Sequence, residues 1–277
     1  MKNGTGNGGS GGSAEASLAK SSEEGIVTIY ETKKIDLSGA VVIDGFPSIG
    51  LVSTICANYL IDALKLEQIG TMESHYFPSV SMVRGGIPMS PARIYAGKSK
   101  EGGDTIAVFV SEFQPAPALV WPIAETMMKW AKEKKCRMII SPEGLVVEKP
   151  ENVKVAVETE EVYGVPSSAG AASELVKNGV KVMANGIITG VSSALLNLSR
   201  RTDVDILAIL AEVQPEYPNA RAAARIIEAI DKILKYTEID VSPLYVEAEK
   251  IEAALRTIQR QAEAMRKGAA PPPSIYA

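Results

Sequence analysis

Two glutamates, Glu112 and Glu212, have the type and placing to do chemistry. Each closes an apolar run and precedes x-Gln-Pro, in Ser111-Glu112-Phe113-Gln114-Pro115 and Ala211-Glu212-Val213-Gln214-Pro215. Carboxylates at strand ends stand where open α/β sheets place ligands, and a convergent pair could serve as acid and base. A glutamate there can equally accept hydrogen bonds from loop amides, and position alone does not separate the two roles. The run Gly45-Phe46-Pro47-Ser48-Ile49-Gly50 has glycines placed as in a phosphate cradle. Leu51 and Val52, however, stand where Lys and Ser or Thr would hold phosphate and magnesium, and Pro47 has no amide to donate. A tight structural turn is expected there. His75 is the single histidine, which removes the common imidazole metal sites, and Glu73 and Ser74 beside it are too local to define a triad. Cys56 and Cys136 lack CxxC or Cys/His spacing and sit among apolar residues, as core thiols of a reducing compartment do. No nucleotide, metal or other cofactor is expected.

These candidates need strands and helices to position them. From Ile26 to about residue 236, apolar β-rich runs alternate with helical patterns, the signature of βαβ units and an α/β fold. Buried strands are predicted at Ala40 to Asp44, Thr105 to Ser111, Arg137 to Ser141, Val180 to Ala184 and Asp205 to Leu210. Helices are predicted up to Leu64, up to Lys134, from Val191, and up to Lys235. In the second of these, Ile123, Met127 and Trp130 recur at helical spacing. Arg84-Gly85-Gly86-Ile87-Pro88 reads as a turn. The two Glu-x-Gln-Pro junctions resemble each other, through duplication or because short strand-to-helix junctions solve the same geometric problem.

Composition bounds the partners. With 277 residues and 46% apolar content the chain can bury a large core, and its net charge of -4 gives no basic footprint for nucleic acid or anionic lipid. No apolar run reaches the length of a membrane span and no signal peptide is evident, so a cytoplasmic protein is expected, with neither nucleic acid nor membrane as partner. Residues 1–25, rich in Gly, Ser, Ala and Asn, are expected to form a disordered tail ahead of an α/β domain over 26–240.

Beyond that domain, Leu244, Ala248, Ile251, Leu255, Ile258, Ala262 and Met265 recur at spacings of four and three, an a/d seam on an amphipathic helix over 241–267. A stripe so narrow must be covered, by its own domain or by copies of itself, and a closed homo-oligomer built on the seam is expected. Residues 268–277 follow as Gly268, a Pro-rich spacer favouring extended polyproline II, and the terminal Ile275, Tyr276 and Ala277. Such an end offers an apolar anchor, a phenol that packs and hydrogen-bonds, and a carboxylate open to capture by a lysine or backbone amides.

The turn Gly45 to Gly50 after a buried strand, the Glu-Gln/Pro-type strand ends, and Gly186-Ile187-Ile188-Thr189-Gly190 with Ser193-Ala194-Leu195-Leu196 resemble the proteasome assembly chaperone family, particularly its archaeal homologues. The resemblance covers roughly residues 26–240. It implies a phosphorylase-like α/β sandwich with a mostly parallel central sheet and a non-enzymatic partner of the 20S proteasome. It also implies a tail similar to the hydrophobic-tyrosine-any motif of proteasome activators, entering pockets between adjacent α-subunits. Ile275 then matches the hydrophobic position, Tyr276 the tyrosine that promotes gate opening, and Ala277 the source of the carboxylate. The alternative is an α/β enzyme acting on a small molecule, with Glu112 or Glu212 in a strand-end pocket.

Overall fold

The computed structural model describes residues 25–99, 102–146, 161–215, 217–234, 238–251 and 253. The strands are β1 (Thr28–Glu31), β2 (Val41–Gly45), β3 (Glu67–Glu73), β4 (Met82–Arg84), β5 (Ile87–Met89), β6 (Ala92–Lys98), β7 (Thr105–Ser111), β8 (Met138–Leu145), β9 (Val162–Pro166), β10 (Lys181–Val182) and β11 (Asp205–Glu212). The helices are α1 (Val52–Ala63), α2 (Pro117–Glu133), α3 (Ala169–Lys177), α4 (Gly190–Leu198), α5 (Ala220–Ile233) and α6, at 242–251. Among the described residues, nine strands form one sheet in the order β1-β3-β6-β7-β2-β8-β11-β9-β10. Its central strands β7, β2, β8 and β11 are mutually parallel, as expected from the sequence. An antiparallel wing, β1-β3-β6, extends from β7, and β9 runs antiparallel to β11 on the other side.

The central strands read as unbroken apolar runs because both sheet faces are covered. In β2, Val41 and Ile43 join the layer beneath α1, α3 and α5, while Val42 points into the opposite layer with α2 and α4. The same alternation holds in β7, where Ile106, Val108 and Val110 face one layer and Ala107 and Phe109 the other. Ile123, Met127 and Trp130 are all buried on α2, with Trp130 meeting Phe109 edge-on at 5.2 Å. Asn219 caps α5 by accepting from the Ala222 amide at 2.9 Å. Cys56 and Cys136 are buried free thiols, as expected.

Several elements differ from their predicted extents. β8 continues through Pro142 to Leu145, beyond the expected end at Ser141. A proline is tolerated in this central strand because β2 pairs with β8 only over Met138 to Ile140, so the ladder on that side has already ended. The expected strand at Val180 to Ala184 is reduced to the two residues of β10, at the sheet's edge. The two Glu-x-Gln-Pro junctions send their helices to opposite faces, α2 to one layer and α5 to the other. The predicted turn at Gly85-Gly86 joins β4 to β5, and both glycines take positive φ, 57° and 80°, as a two-residue hairpin turn requires. Among the described residues, no helix is long and apolar enough to cross a membrane.

Candidate functional site

The parallel centre diverges at its carboxyl end. β2 leaves the sheet at Gly45, and β7 feeds α2 on one face while β2 feeds α1 on the other, the arrangement at which open α/β sheets form a crevice. A cleft of about 300 Å³ lies there, lined by Asp44, Phe46, Pro47, Ser48, Ile49, Gln114, Glu143, Thr189, Gly190 and Val191. The turn after β2 forms its wall and is held internally: the Ser53 hydroxyl donates to the Phe46 carbonyl, and the Ser53 amide donates to Ser48 Oγ at 3.2 Å. Gly50 takes φ 66°, and an added Cβ on Gly45 would lie 2.3 Å from both the Ala57 Cβ and the Phe109 carbonyl oxygen. These glycines therefore serve the turn and the close approach of α1 and β7, in line with the structural role expected of the Gly45 to Gly50 run.

Two carboxyl groups define the cleft's chemistry. Asp44, at the end of β2, is buried; its Oδ1 accepts from the Phe46 amide at 3.1 Å and its Oδ2 from the Ser141 hydroxyl at 2.6 Å. Burial raises its pKa to about 6 against the pull of those two donors. Glu143, two residues beyond Ser141 on β8, is half-buried. Desolvation, and then the neighbouring Asp44 carboxyl, push it well above the usual carboxylate range, opposed by the Ser192 hydroxyl on α4. Ser192 Oγ is wholly buried; it meets strict hydrogen-bonding geometry with none of the described residues, and Glu143 is the acceptor it faces. Among the described residues, no lysine, arginine or histidine lines the cleft. The arrangement can hold a proton between two acids or receive a cation.

Glu112 and Glu212 do not converge. With β2 and β8 between β7 and β11, the two strand ends stand about 14 Å apart at ordinary strand spacing. Glu112 pairs with the buried Arg93, whose guanidinium also donates to Tyr95 Oη at 3.2 Å and the Ser90 carbonyl at 2.6 Å. Glu212 is buried on β11. His75 is exposed in the turn after β3, at a shallow depression bounded by Phe77, Pro78 and Pro91. The carboxyls that do share a cleft, Asp44 and Glu143, were not singled out from the sequence. Asp44 carried a signal, an acid set directly on an unbroken apolar strand, but nothing linked it to Glu143 ninety-nine positions later.

The seam on the C-terminal helix begins inside the domain. Leu244, with Val241, joins the layer formed by α1 and α5; Ala248 is buried and Ile251 half-buried. Tyr245 donates to Glu228 Oε1 at 3.0 Å and lies 5.8 Å from the Arg221 guanidinium, and Tyr59 donates to the Asp240 carbonyl, so the start of α6 is tied to α5 and α1. Leu255, Ile258, Ala262 and Met265, and the terminal Ile275, Tyr276 and Ala277, lie outside the described residues, as does the expected tail over residues 1–24.

Comparison with known proteins adds the following. The model of the PAC2 family matches residues 42–259. The fold resembles that of Pyrococcus furiosus PbaA, described as an archaeal homolog of proteasome-assembly chaperone, with a TM-score of 0.73 and 31% identity, covering 87% of this chain and 94% of that one. Pyrococcus furiosus PbaB, described as an archaeal proteasome activator, shares the fold with a TM-score of 0.73 at 23% identity, over 85% of this chain and 100% of its own. The Methanocaldococcus jannaschii protein MJ0106 is 28% identical over 231 residues, 83% of this chain and 90% of that protein.

Proposed function

Because the chain belongs to the PAC2 family, we propose that it is a non-enzymatic adaptor of the proteasome, an assembly chaperone or activator that docks Ile275-Tyr276-Ala277 into pockets between α-subunits of a 20S core particle. The observation that carries this reading is the 31% identity to PbaA across 87% of the chain, together with a tail whose chemistry suits a pocket. Ile275 supplies the apolar anchor, Tyr276 a ring and hydroxyl, and the Ala277 carboxylate a charge for a lysine or backbone amides to capture.

Leverage comes from repetition. A single tripeptide binds weakly, whereas several tails carried on one assembly raise the effective concentration of each at its neighbouring pocket. Leu244 and Ala248 are covered by their own chain, so self-association is assigned to the later positions Leu255, Ile258, Ala262 and Met265, which continue the same stripe. The protein is placed in the cytoplasm with the proteasome, and the reading needs no cofactor, nucleic acid or membrane.

The test is co-sedimentation with an archaeal 20S core particle, comparing the full chain with one ending at Ser274. The full chain is expected to sediment with the core and the shortened one to remain in the supernatant. Equal binding by both would remove the tail from the account, and a parallel peptide-hydrolysis assay separates activation from assembly.

A further inference from the structure

The carboxyl end of the sheet carries an apolar surface as well as a cleft. β6 runs antiparallel to β7, and β3 to β6, so the link between β3 and β6 emerges at the same end as the turn after β2 and the junction before α2. The loop before α4 joins them at the cleft. These four segments, residues 45–54, 74–91, 113–124 and 184–199, contain one arginine, one histidine and no lysine, aspartate or glutamate, in a chain that is 22% charged. Charge is kept off this end. In its place stand Tyr76, Phe77, Met82, Met89 and Trp121 beside Arg84, the residue types that protein interfaces favour. Among the described residues, every exposed large apolar side chain except Val176, Val182 and Val246 lies in these segments or at the adjoining ends of β1 and β8. The segments also touch one another: Phe77 meets Phe113 with ring centroids 4.8 Å apart, and Ile49, Gln114 and Thr189 line one cleft.

We infer that this end of the sheet is the contact face for a second copy of the chain, packed about a twofold axis through the β4–β5 hairpin and its neighbours. The hairpin is the part most in need of cover. Arg84 pairs with Ile87 and Val83 with Pro88, so Val83 and Ile87 lie on opposite faces of the ladder, 65% and 66% exposed. A two-stranded hairpin is marginal in water by itself, and one that is apolar on both faces is more so. The exposed parts of the apolar residues at this end present on the order of 1,000 Å², against about 800 Å² per partner in a standard interface. In a twofold contact each group meets the same surface on the other copy, so net charge would repel itself. Arg84 is the one full charge in the four segments and already lies 3.8 Å from Glu112 of its own chain. A surface without free charge gives an acidic or basic partner nothing to recognise, whereas an identical surface meets it without repulsion. Glu73 is exposed at the end of β3 and falls at the rim, where water reaches it. This contact is separate from the C-terminal seam, whose start packs on α1 and α5, and it does not depend on docking to a proteasome.

Sedimentation velocity of the full chain and of the double variant Val83→Glu, Ile87→Glu, between about 1 and 100 μM, tests the proposal. Both side chains are exposed in the single chain, so the variant is expected to fold, and its melting curve checks that. The seam is intact in it. The full chain is expected to sediment at twice the mass of the variant at the same concentration, the two substitutions weakening the contact at least about 100-fold. Trp121 gives a readout that seam contacts leave unmoved, because it is exposed on this face whereas Trp130 is buried. Acrylamide quenching of the full chain should weaken as concentration rises, and quenching of the variant should stay constant. A full chain with the same mass as the folded variant, or association that leaves Trp121 equally open to acrylamide, would overturn the proposal. The tail is unaltered in both proteins, so failure here leaves the proteasome-binding reading standing.

Discussion

Replacing Asp44 by Asn should stabilise this protein at neutral pH, although it removes a buried, doubly hydrogen-bonded side chain. The folded protein keeps the Asp44 proton up to about pH 6, whereas the unfolded chain releases it near 3.8. Between those values the folded state binds more protons. The contribution of Asp44 to stability is therefore greatest below about pH 4, declines as pH rises through about 6, and then levels off. The separation of the two pKa values corresponds to about 3 kcal/mol of buried-charge cost at pH 8. Asn carries no charge, can keep the Phe46 amide on its Oδ1, and can donate from Nδ2 to the Ser141 hydroxyl, as the protonated acid would. Urea denaturation of both proteins in phosphate or acetate buffer, every half unit from pH 4 to 8, measures the difference. Asp44→Asn is expected to match the parent near pH 4 and exceed it by about 3 kcal/mol at pH 8. The exposed carboxylates with lowered pKa, such as Asp36 and Glu67, are common to both proteins and cancel in the difference. A variant less stable than the parent at pH 8, or an offset independent of pH, would refute the reasoning.

Other perturbations test the packing around the site. Gly144→Ala would place a Cβ 2.2 Å from the Ile49 carbonyl oxygen and 2.9 Å from Val213 Cγ2. It is expected to cost about 3 kcal/mol in urea denaturation, since backbone on one side cannot yield. Arg93→Ala removes the buried partner of Glu112, leaving it only the exposed Arg84 at 3.8 Å, and leaves the Ser90 carbonyl and Tyr95 hydroxyl without their donor. A loss of about 3–5 kcal/mol is expected, partly recovered when Glu112→Gln is added. Leu244→Ala should cost about 2–4 kcal/mol, and by the same amount at every protein concentration, because Leu244 packs within its own domain. A cost that shrinks on dilution would place that contact between chains.

What the sequence made legible is the part of the fold where pattern and environment agree. Val41, Val42 and Ile43 form one apolar run because helices cover both faces of β2, and Ile123, Met127 and Trp130 mark the buried face of α2. The antiparallel wing was not foreseen. β3 begins and ends on the exposed Glu67 and Glu73, and β1 is half-buried throughout, so neither presents a clean apolar pattern. The alternative enzymatic reading paired acids that the fold keeps apart, for a related reason. The repeated Glu-x-Gln-Pro made Glu112 and Glu212 look like a pair, but chain order does not give strand order, and the sheet inserts β2 and β8 between them. The same insertion brings Asp44 and Glu143 together. Their meeting is a tertiary fact with no local signature beyond a single acid on an apolar strand.

The central claim is that a free C-terminal Ile-Tyr-Ala engages the proteasome core, and competition by a short peptide tests it most directly. The full chain is passed over an immobilised archaeal 20S core particle in the presence of the peptide Pro-Pro-Pro-Ser-Ile-Tyr-Ala, either as the free acid or with its carboxylate amidated. The account predicts that the free acid displaces the protein and the amide does not. Binding that neither peptide displaces would contradict it.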